Sequence, residues 1–586
     1  MIRLFFIGIL CFFCAAASAE PIDFDAAKKL AAKAIGKSEV VNVQPGSEVN
    51  SRMAVSPVDA PAFYMFNSED GKGFAIISGD DEFPEVIGYS ETGWLNLNGS
   101  LPDALVAYLE GYSRYVADVR SGLATPPVRE GVGSATTNSV PPLCKSTWGQ
   151  GYPYNGYCPK VGVNTCPVGC VATAMAQIMY YYKHPERAQG GKIVYDTGNS
   201  KIGSNGYITE DFSTDEHIYA WDLMRDDVSM MNGTANIASR NAVAQLSYDC
   251  GVATKMSYNT GGSGTTESEA LYAFHKHFDY SAYTNVTFRE MFANQADWNA
   301  LIKKELDEGR PVLFCGTSTK GSGADAAGHA FIVDGYTKSG PVHVNWGWDG
   351  SSDGYYDIVT LDMGQYSFSK EQSIVYGIQP SAEGETMPQS NLLCFYKPMK
   401  ITATSVSLGK RYFCEIDRFY NMYPATKEWS ICIGLFDKHG NFISKISQAP
   451  VSVTLGYLYG YSSPDYSYDP IPCALPKGTA DGDYALRVLI NEPGYNLPNG
   501  EKDWILPQYV GGDSANWLPV MISNGKAYFN QVSTPIESVE IDAADVVSRQ
   551  YFDLNGRSVV APAEGAIVIE KQTLSNGKSR SVKRRF

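Results

Sequence analysis

Apolar residues recur with a helical period between residues 166 and 184. The apolar side chains follow the i, i+3, i+4, i+7, i+8 spacing of one buried helix face: Val171, Ala174, Met175, Ile178 and Met179. Gly169 and Cys170 stand at the start of this run. His184-Pro185 ends it, because the residue before a proline disfavours helical geometry. The pattern predicts a buried helix whose first turn carries the thiol of Cys170.

Residues 20–140 have the pattern of a compact α+β unit followed by a linker. Two apolar runs, at 63–66 and 73–78, flank a polar turn and predict a β-hairpin. A helix is predicted after it by apolar residues at helical spacing: Leu105, Tyr108, Leu109, Tyr112 and Tyr115. Residues 121–140 are small, polar and rich in Pro and Gly, which is typical of an exposed linker open to proteolysis.

Residues 141–380 predict a second α+β unit with helices first and strands later. After the Cys170 helix, further helices are predicted at 238–249 and 298–308. Strands are predicted at 311–315, 329–336, 342–346 and 355–359. This order favours an α+β domain divided into two lobes.

The rest of the chain is dominated by short strands. Residues 385–545 contain apolar runs such as 431–436 and 484–490 between turn clusters, which predicts a β-sandwich. Residues 546–586 form a separate tail whose last 16 residues carry six basic side chains and no acidic one.

Composition and charge restrict the class of protein. The 586 residues are 44% hydrophobic and 19% charged, as in folded domains. A formal net charge of −16 argues against nucleic acid as a partner, since phosphate binding needs clustered Lys and Arg. The sequence predicts no membrane span beyond its N-terminus.

The first 19 residues have the pattern of an export signal. Arg3 precedes the apolar run 4–17, and Ala17-Ser18-Ala19 provides a small-residue cleavage site. The apolar run is shorter than the roughly 20 residues that span a bilayer. We therefore expect a secreted or cell-surface protein in which disulfides are permitted but are too sparse to be the scaffold.

Cys170 is the candidate nucleophile. A thiol on the first turn of a helix lies at the positive end of the helix dipole, which is expected to favour the thiolate. Among seven histidines, His329 is distinctive because glycine precedes it at the start of a predicted strand. Asn345, on the next strand, could accept the ring N–H of His329, and Trp346 could shield that hydrogen bond from water. The hairpin register that would bring them together is not fixed by the sequence.

Other chemistry has weaker support. Cys166 and Cys170 lack the second pair of ligands of a zinc site, and there is no His-Glu-x-x-His motif, so neither a metal nor a cofactor is expected. Gly350-Ser-Ser-Asp-Gly354 fits the Gly-x-Ser-x-Gly pattern, but it lies between two predicted strands, whereas a nucleophile elbow leads from a strand into a helix.

Three segments carry a resemblance to the streptopain family of papain-like cysteine endopeptidases. They are Gly-Cys-Val-Ala-Thr-Ala-Met-Ala-Gln-Ile-Met at 169–179, Gly-His-Ala-Phe-Ile-Val-Asp-Gly at 328–335 and His-Val-Asn-Trp-Gly-Trp at 343–348. The resemblance extends over roughly residues 60–380. It implies a two-lobed papain-like catalytic domain at 141–380, preceded by a prodomain and linker at 20–140.

The resemblance also implies the roles of the site residues. Cys170 would attack the peptide carbonyl and His329 would protonate the leaving amine. Gln150 matches the glutamine of the family's oxyanion hole, Asn345 would orient His329, and Trp346 would cover that pair. The partners implied are protein or peptide substrates and the chain's own prodomain as inhibitor.

Two other functions stay open at this point. A transglutaminase-like acyltransferase shares a cysteine at a helix start and a histidine on a strand, but it would call for an acidic orienting residue where this chain has Asn345. An inactive, peptidase-derived adhesin would work through the β-sandwich. The tail at 546–586 resembles the sorting domains of Bacteroidota secretion systems, which implies contact with secretion machinery.

Overall fold

The computed structural model describes residues 21–43, 61–95, 101–127, 138–317, 328–357, 370–457, 460–461, 470–529, 546–552, 558–559, 567–574 and 579–585. The chain divides into two compact units, one ending at Phe529 and one beginning at Asn530. The predicted export signal, half of the predicted linker (residues 128–137) and residues 318–327 lie outside the described residues.

The N-terminal region is the predicted α+β unit. Its elements are α1 (Phe24–Ala34), β1 (Val40–Val43), β2 (Phe63–Ser68), β3 (Phe74–Ser78), β4 (Val86–Ser90) and α2 (Asp103–Arg120). Helix α1 begins after Asp23, whose carboxylate accepts the N–H of Ala26 at 2.8 Å and so satisfies a free donor of the first turn. Strands β2 and β3 form the predicted hairpin, and α2 buries the predicted apolar positions Leu105, Tyr108 and Tyr112.

The central region contains four helices and ten strands among its described residues. The helices are α3 (Cys170–Tyr182), α4 (Ile237–Ala253), α5 (Glu267–His277) and α6 (Gln295–Asp307). The strands are β5 (Lys160–Val161), β6 (Asn164–Thr165), β7 (Lys192–Asp196), β8 (Tyr207–Asp211), β9 (Asn285–Phe288), β10 (Val312–Thr317), β11 (Gly328–Tyr336), β12 (Val342–Asn345), β13 (Gly354–Tyr356) and β14 (Lys370–Tyr376). The α+β prediction is confirmed, with α1 and α5 as helices that the sequence pattern did not predict.

One antiparallel sheet of ten strands passes through both regions. Its order is β1-β2-β3-β4-β13-β12-β11-β10-β14-β9. The two regions join where β4 pairs with β13, with Tyr89 opposite Tyr355 and Gly88 opposite Tyr356. The join also has a shared apolar core, in which Leu105 and Tyr108 of α2 pack in one cluster with Phe331 and Trp346. The N-terminal region is thus docked by both backbone pairing and hydrophobic burial.

A second core surrounds α3. Met175, Ile178 and Met179 of this helix are fully buried together with Ala330 and Ile332 of β11. The other face of β11 contributes Phe331 and Val333 to the core shared with α2. Strand β11 therefore lies between α3 and the N-terminal region, and it carries His329 at its beginning.

The remainder of the first unit is the predicted β-rich region. Its strands are β15 (Leu393–Phe395), β16 (Ser405–Ser407), β17 (Tyr412–Cys414), β18 (Phe419–Asn421), β19 (Lys427–Asp437), β20 (Phe442–Lys445), β21 (Val451–Leu455), β22 (Gly460–Tyr461), β23 (Ile471–Cys473), β24 (Gly482–Asn491), β25 (Leu518–Ser523) and β26 (Lys526–Phe529). They form a seven-stranded, a three-stranded and a two-stranded sheet around one apolar core.

The second unit contains four described strands. They are β27 (Val546–Phe552), β28 (Ser558–Val559), β29 (Ile567–Leu574) and β30 (Ser579–Arg585), paired in the order β28-β27-β29-β30.

Across the described parts of the chain, no helix is long and apolar enough to cross a membrane. The ten described cysteines are all free thiols, so Cys166 is not bonded to Cys170.

Candidate active site

Cys170 is the first residue of α3, as the sequence predicted. Its predecessor, Gly169, adopts φ 93° and ψ 139°, in the half of backbone space that favours glycine. A Cβ at this position would lie 2.7 Å from Cε of Met256 and 3.0 Å from the carbonyl oxygen of Ser263. Glycine is therefore required here both by backbone conformation and by space, and it fixes the approach of the chain to the thiol.

The thiol of Cys170 is half-buried and lies among backbone donors. Burial raises the pKa of Cys170, while the N–H groups of Ala330, Val171 and Cys170 itself, which donate toward the sulfur, lower that pKa in part. The net pKa is above the ordinary value. The expectation that the helix start alone would favour the thiolate is thus wrong for this state of the protein, because desolvation raises the pKa of Cys170 more than the backbone donors lower it.

His329 is the second residue of β11, paired across the sheet with Gly316. Burial lowers the pKa of its imidazole, and the negative charge of Asp103 opposes that shift. Side chains alternate along a strand, so His329 shares the face of Phe331, toward the core with α2, whereas Ala330 faces α3.

A carboxylate of the N-terminal region acts on both groups. Asp103, the first residue of α2, raises the pKa of Cys170 and that of His329 through its charge. A negative charge close to the sulfur disfavours thiolate formation. No pattern in the sequence connected Asp103 with the site, because the contact depends on how the two regions pack.

Asn345 lies on β12 opposite Ile332, three positions along β11 from His329. Its amide is 2% exposed. The Nδ2 group donates to the carbonyl of Ser146 at 2.7 Å and to Oε1 of Gln177 at 3.1 Å. Its Oδ1 accepts the Nε2–H of Gln177 at 3.1 Å and the N–H of Gly347 at 3.0 Å. The orientation of His329 by Asn345 stays a prediction for the processed protein.

The structure brings the Gln150 loop close to Cys170. The carbonyl oxygen of Gln150 accepts the N–H of Val168 at 3.0 Å, which ties this loop to the residues just before the helix. The preceding residue, Gly149, packs so closely on Asp349 that a Cβ would come within 2.7 Å of its carboxylate. The Gln150 side chain is half-buried, and its loop adjoins the helix start, where an oxyanion donor would be needed.

Trp346 belongs to the core on the far side of β11. It is 2% exposed and contacts Phe331 and Tyr356, with ring centroids 4.9 Å and 5.1 Å away. Its indole N–H donates to the carbonyl of Ser352 at 3.1 Å. This packing holds β11, β12 and β13 together, so the described contacts of Trp346 are structural.

Gln177 is a residue of the site that the sequence reasoning missed. It is fully buried and links Asn345 to the residues that precede Gln150. A buried amide on an otherwise apolar helix face was the available signal, since buried polar groups need partners. The Gly350–Gly354 segment, by contrast, connects β12 to β13 as predicted, and so it does not form a nucleophile elbow.

Comparisons with known proteins agree with this arrangement. Residues 148–356 match the Peptidase C10 family and residues 19–116 match the Spi protease inhibitor family. The chain is 32% identical over 340 residues to the thiol protease/hemagglutinin PrtT of Porphyromonas gingivalis, a match that covers 55% of this chain and 37% of PrtT. It is 30% identical over 338 residues to streptopain of Streptococcus pyogenes, covering 54% of this chain and 80% of streptopain.

A solved structure is also similar. The match is to a fragment of prointerpain A from Prevotella intermedia, at 32% identity and a TM-score of 0.46, and it covers 55% of this chain and 98% of the fragment. The 30% identity to streptopain covers four fifths of streptopain's length, and together with the two family matches it assigns this chain to a family. The chain belongs to the Peptidase C10 family of cysteine peptidases, and it carries an inhibitor-like region ahead of its peptidase region.

Proposed function

We propose that the protein is an exported cysteine endopeptidase made as a zymogen, with Cys170 as nucleophile and His329 as acid and base. The observation that carries the assignment is the position of Cys170 at the start of α3, with three backbone N–H groups directed at its sulfur and one of them from Ala330, the neighbour of His329. The thiolate is the reactive form of cysteine, and such donors stabilise it once the site is solvated.

The reaction is acyl transfer to water. The sulfur of Cys170 forms a bond to the peptide carbonyl carbon, and the imidazolium of His329 gives its proton to the leaving amine as the C–N bond breaks. The oxyanion is stabilised by the N–H of Cys170 and the side-chain amide of Gln150, where one lost donor costs about 10²–10³-fold in rate. Water, deprotonated by His329, then hydrolyses the thioester and restores the thiol.

The N-terminal region, residues 20–140 with the linker, is proposed to keep this site inactive. Pairing of β4 with β13 and the core shared with α2 dock it beside β11. The charge of its Asp103 raises the pKa of the Cys170 thiol. Processing in the linker would release the region, restore water to the site and allow the thiolate and imidazolium to form.

The test is digestion of casein by the processed protein with and without a thiol-directed epoxide inhibitor. We expect hydrolysis that the inhibitor abolishes, and accumulation of full-length precursor when Cys170→Ala is expressed. Hydrolysis that the inhibitor does not affect would contradict the peptidase mechanism. Transfer of the acyl group to an added amine in preference to water would favour the acyltransferase alternative. Absence of both hydrolysis and transfer would favour the inactive adhesin.

Export and sorting are proposed from the sequence pattern. Residues 1–19 would direct export, and the tail at 546–586, with its basic end, would contact secretion machinery. Residues 385–545 are the proposed β-sandwich domain. Deletion of 546–586 should leave the protein inside the cell envelope, whereas unchanged release into the medium would contradict the sorting role.

A further inference from the structure

A fully buried amide lies on the same face of α3 as the candidate nucleophile. Gln177 is seven residues after Cys170, and seven residues correspond to nearly two turns of an α-helix. Gln177 is 0% exposed. The helix therefore presents two polar groups to the sheet, the thiol at its first residue and this amide about two turns later.

The Gln177 amide makes four hydrogen bonds, to partners on two other segments. It forms a reciprocal pair with Asn345 on β12, in which each amide donates to the other at 3.1 Å. Its Oε1 also accepts the N–H of Trp148 at 3.1 Å and the hydroxyl of Ser146 at 3.0 Å. One side chain thus connects the nucleophile helix, strand β12 and the segment that leads into Gln150.

These bonds determine which end of the Asn345 amide is the oxygen. A carboxamide has two N–H donors and room for two acceptor contacts at its oxygen. Both donors of Asn345 are used by Ser146 and Gln177, and its oxygen takes the N–H groups of Gln177 and Gly347. If the Asn345 amide were rotated by 180°, its NH₂ group would face the N–H of Gly347, and its oxygen would face the carbonyl oxygen of Ser146. The N–H of Trp148 fixes which end of the Gln177 amide is its oxygen, so a reversed Asn345 amide would also place its NH₂ group against Nε2 of Gln177. Gln177, Gly347 and Ser146 together hold Asn345 in one orientation.

We infer that Gln177 is a positioning residue for the peptidase reaction. It acts through Asn345 and through Trp148, fixing the amide orientation of Asn345 and the distance between α3 and the Gln150 loop. This inference rests on the proposed function, because it assigns Gln177 a role in that reaction.

Two substitutions separate positioning from packing. Gln177→Met keeps the approximate volume and removes all four hydrogen bonds. Gln177→Glu keeps an acceptor for Trp148 and Ser146, and its carboxyl group can donate to Asn345 only when it is protonated. Burial raises the pKa of a carboxyl group, so the carboxyl group of the Gln177→Glu variant is expected to be protonated at the acidic end of the pH range measured. The matched control is Gln508→Met, an amide 9% exposed that bonds to Thr287 at 3.0 Å, far along the chain from the site.

Each full-length variant is processed with a small amount of wild-type enzyme, and the background is measured on Cys170→Ala carried through the same steps. Active sites are counted with the epoxide inhibitor, so kcat refers to competent molecules. We expect Gln177→Met to lower kcat about 10–100-fold at every pH, with KM nearly unchanged, since misplacement by about 1 Å costs about this much. Gln177→Glu should approach the wild-type kcat near pH 5 and fall progressively below it toward pH 8. Gln508→Met should match the wild type.

Wild-type kcat per active site in both Gln177 variants would overturn the inference, as would an equal loss in Gln177→Glu at every pH. If a variant fails to fold, its count of titratable thiols shows it, and the other variant decides: the pH-dependent ratio of Gln177→Glu to wild type, or the loss of kcat at nearly unchanged KM in Gln177→Met. Activity in Cys170→Ala itself would contradict the proposed function and not the positioning role alone.

Discussion

Gly88 of the N-terminal region lies directly against the aromatic ring of Tyr356 in the peptidase region. A Cβ on Gly88 would come within 2.6 Å of both Cδ1 and Cε1 of that ring. The ring is 1% exposed and packs on Trp346 with centroids 5.1 Å apart, so it has little room to move. The close contact between inhibitor-like region and peptidase at this point is thus made possible by the absence of a side chain.

Gly88→Ala should therefore loosen the N-terminal region. An added methyl group in a packed contact costs about 1–3 kcal/mol of stability. Here it would destabilise the state in which the N-terminal region is docked on the peptidase region. We expect faster conversion of precursor to processed enzyme, measured by gel electrophoresis after a small addition of active enzyme. Val41→Ala, at a half-exposed position of the outer strand β1, is the control and should convert at the wild-type rate. An unchanged conversion rate for Gly88→Ala would show that the contact does not limit release.

Asp103→Asn should make the thiol of the unprocessed chain more reactive. The Asp103 charge raises the pKa of Cys170, so its removal lowers that pKa and shifts iodoacetamide alkylation to lower pH. The shift should be a fraction of a pH unit, because Asp103 is exposed and water screens its charge. Asp118→Asn, on the same helix, should leave the alkylation profile in place. After removal of the N-terminal region the Asp103 variant and wild type should give the same profile.

Asp353 should make the folded state less stable as the pH rises. Burial raises the pKa of its carboxyl group to about 7, from 3.8 in the unfolded chain. Between these values the folded protein holds a proton that the unfolded chain has lost, so this contribution to stability is present at low pH and is lost as pH rises toward 7. The effect is on the order of 2–4 kcal/mol, at about 1.4 kcal/mol per pKa unit.

The measurement is urea unfolding of the full-length Cys170→Ala chain, with and without Asp353→Asn, between pH 4.5 and 8. Asparagine keeps an acceptor for the N–H of Trp346, which Asp353 now accepts at 2.9 Å. We expect the variant to gain stability relative to its parent as pH rises. A difference that stays constant across this range would mean that the carboxyl group titrates alike in both states.

Gly169→Ala should damage the site locally. Alanine is strained at φ 93°, at a cost of about 1–3 kcal/mol, and its methyl group would collide with Met256. We expect kcat/KM to fall at least about tenfold as the first turn of α3 shifts. Gly151→Ala is the matched control, because nothing lies within 4 Å of the place its methyl group would take and its φ is not positive. Equal activity in both variants would contradict the role of Gly169.

Local patterns predicted the elements well because periodicity reports which face is buried. The β2–β3 hairpin, α2 and the start of α3 at Cys170 all follow from a few neighbouring residues. The pairing of β4 with β13 does not follow from neighbouring residues, since the alternation of apolar and polar residues in a strand does not indicate which other strand it pairs with. The prediction for the Cys170 pKa was wrong for the same reason: the dipole is local to α3, but burial comes from elsewhere in the fold.

The predicted site residues also divide into those that the sequence identifies and those whose contacts depend on packing. Cys170 and His329 were identifiable from short segments of sequence, whereas Gln150 was identified only through the family resemblance. The Gln150 loop does adjoin the start of the Cys170 helix. The hairpin register places Asn345 opposite Ile332, and three of its four hydrogen bonds join it to Ser146 and Gln177, which are far away in the chain. Only packing reveals that Gln177 is one of the partners that fix the orientation of Asn345.

The strand that receives the N-terminal region is the shortest of the ten in the sheet, at three residues. Loss of that region turns β13 into an edge, and an edge strand can recruit other chains through its unpaired backbone groups. A three-residue edge offers very few such groups. The enzyme can therefore discard its partner strands without acquiring a surface that would drive its own aggregation.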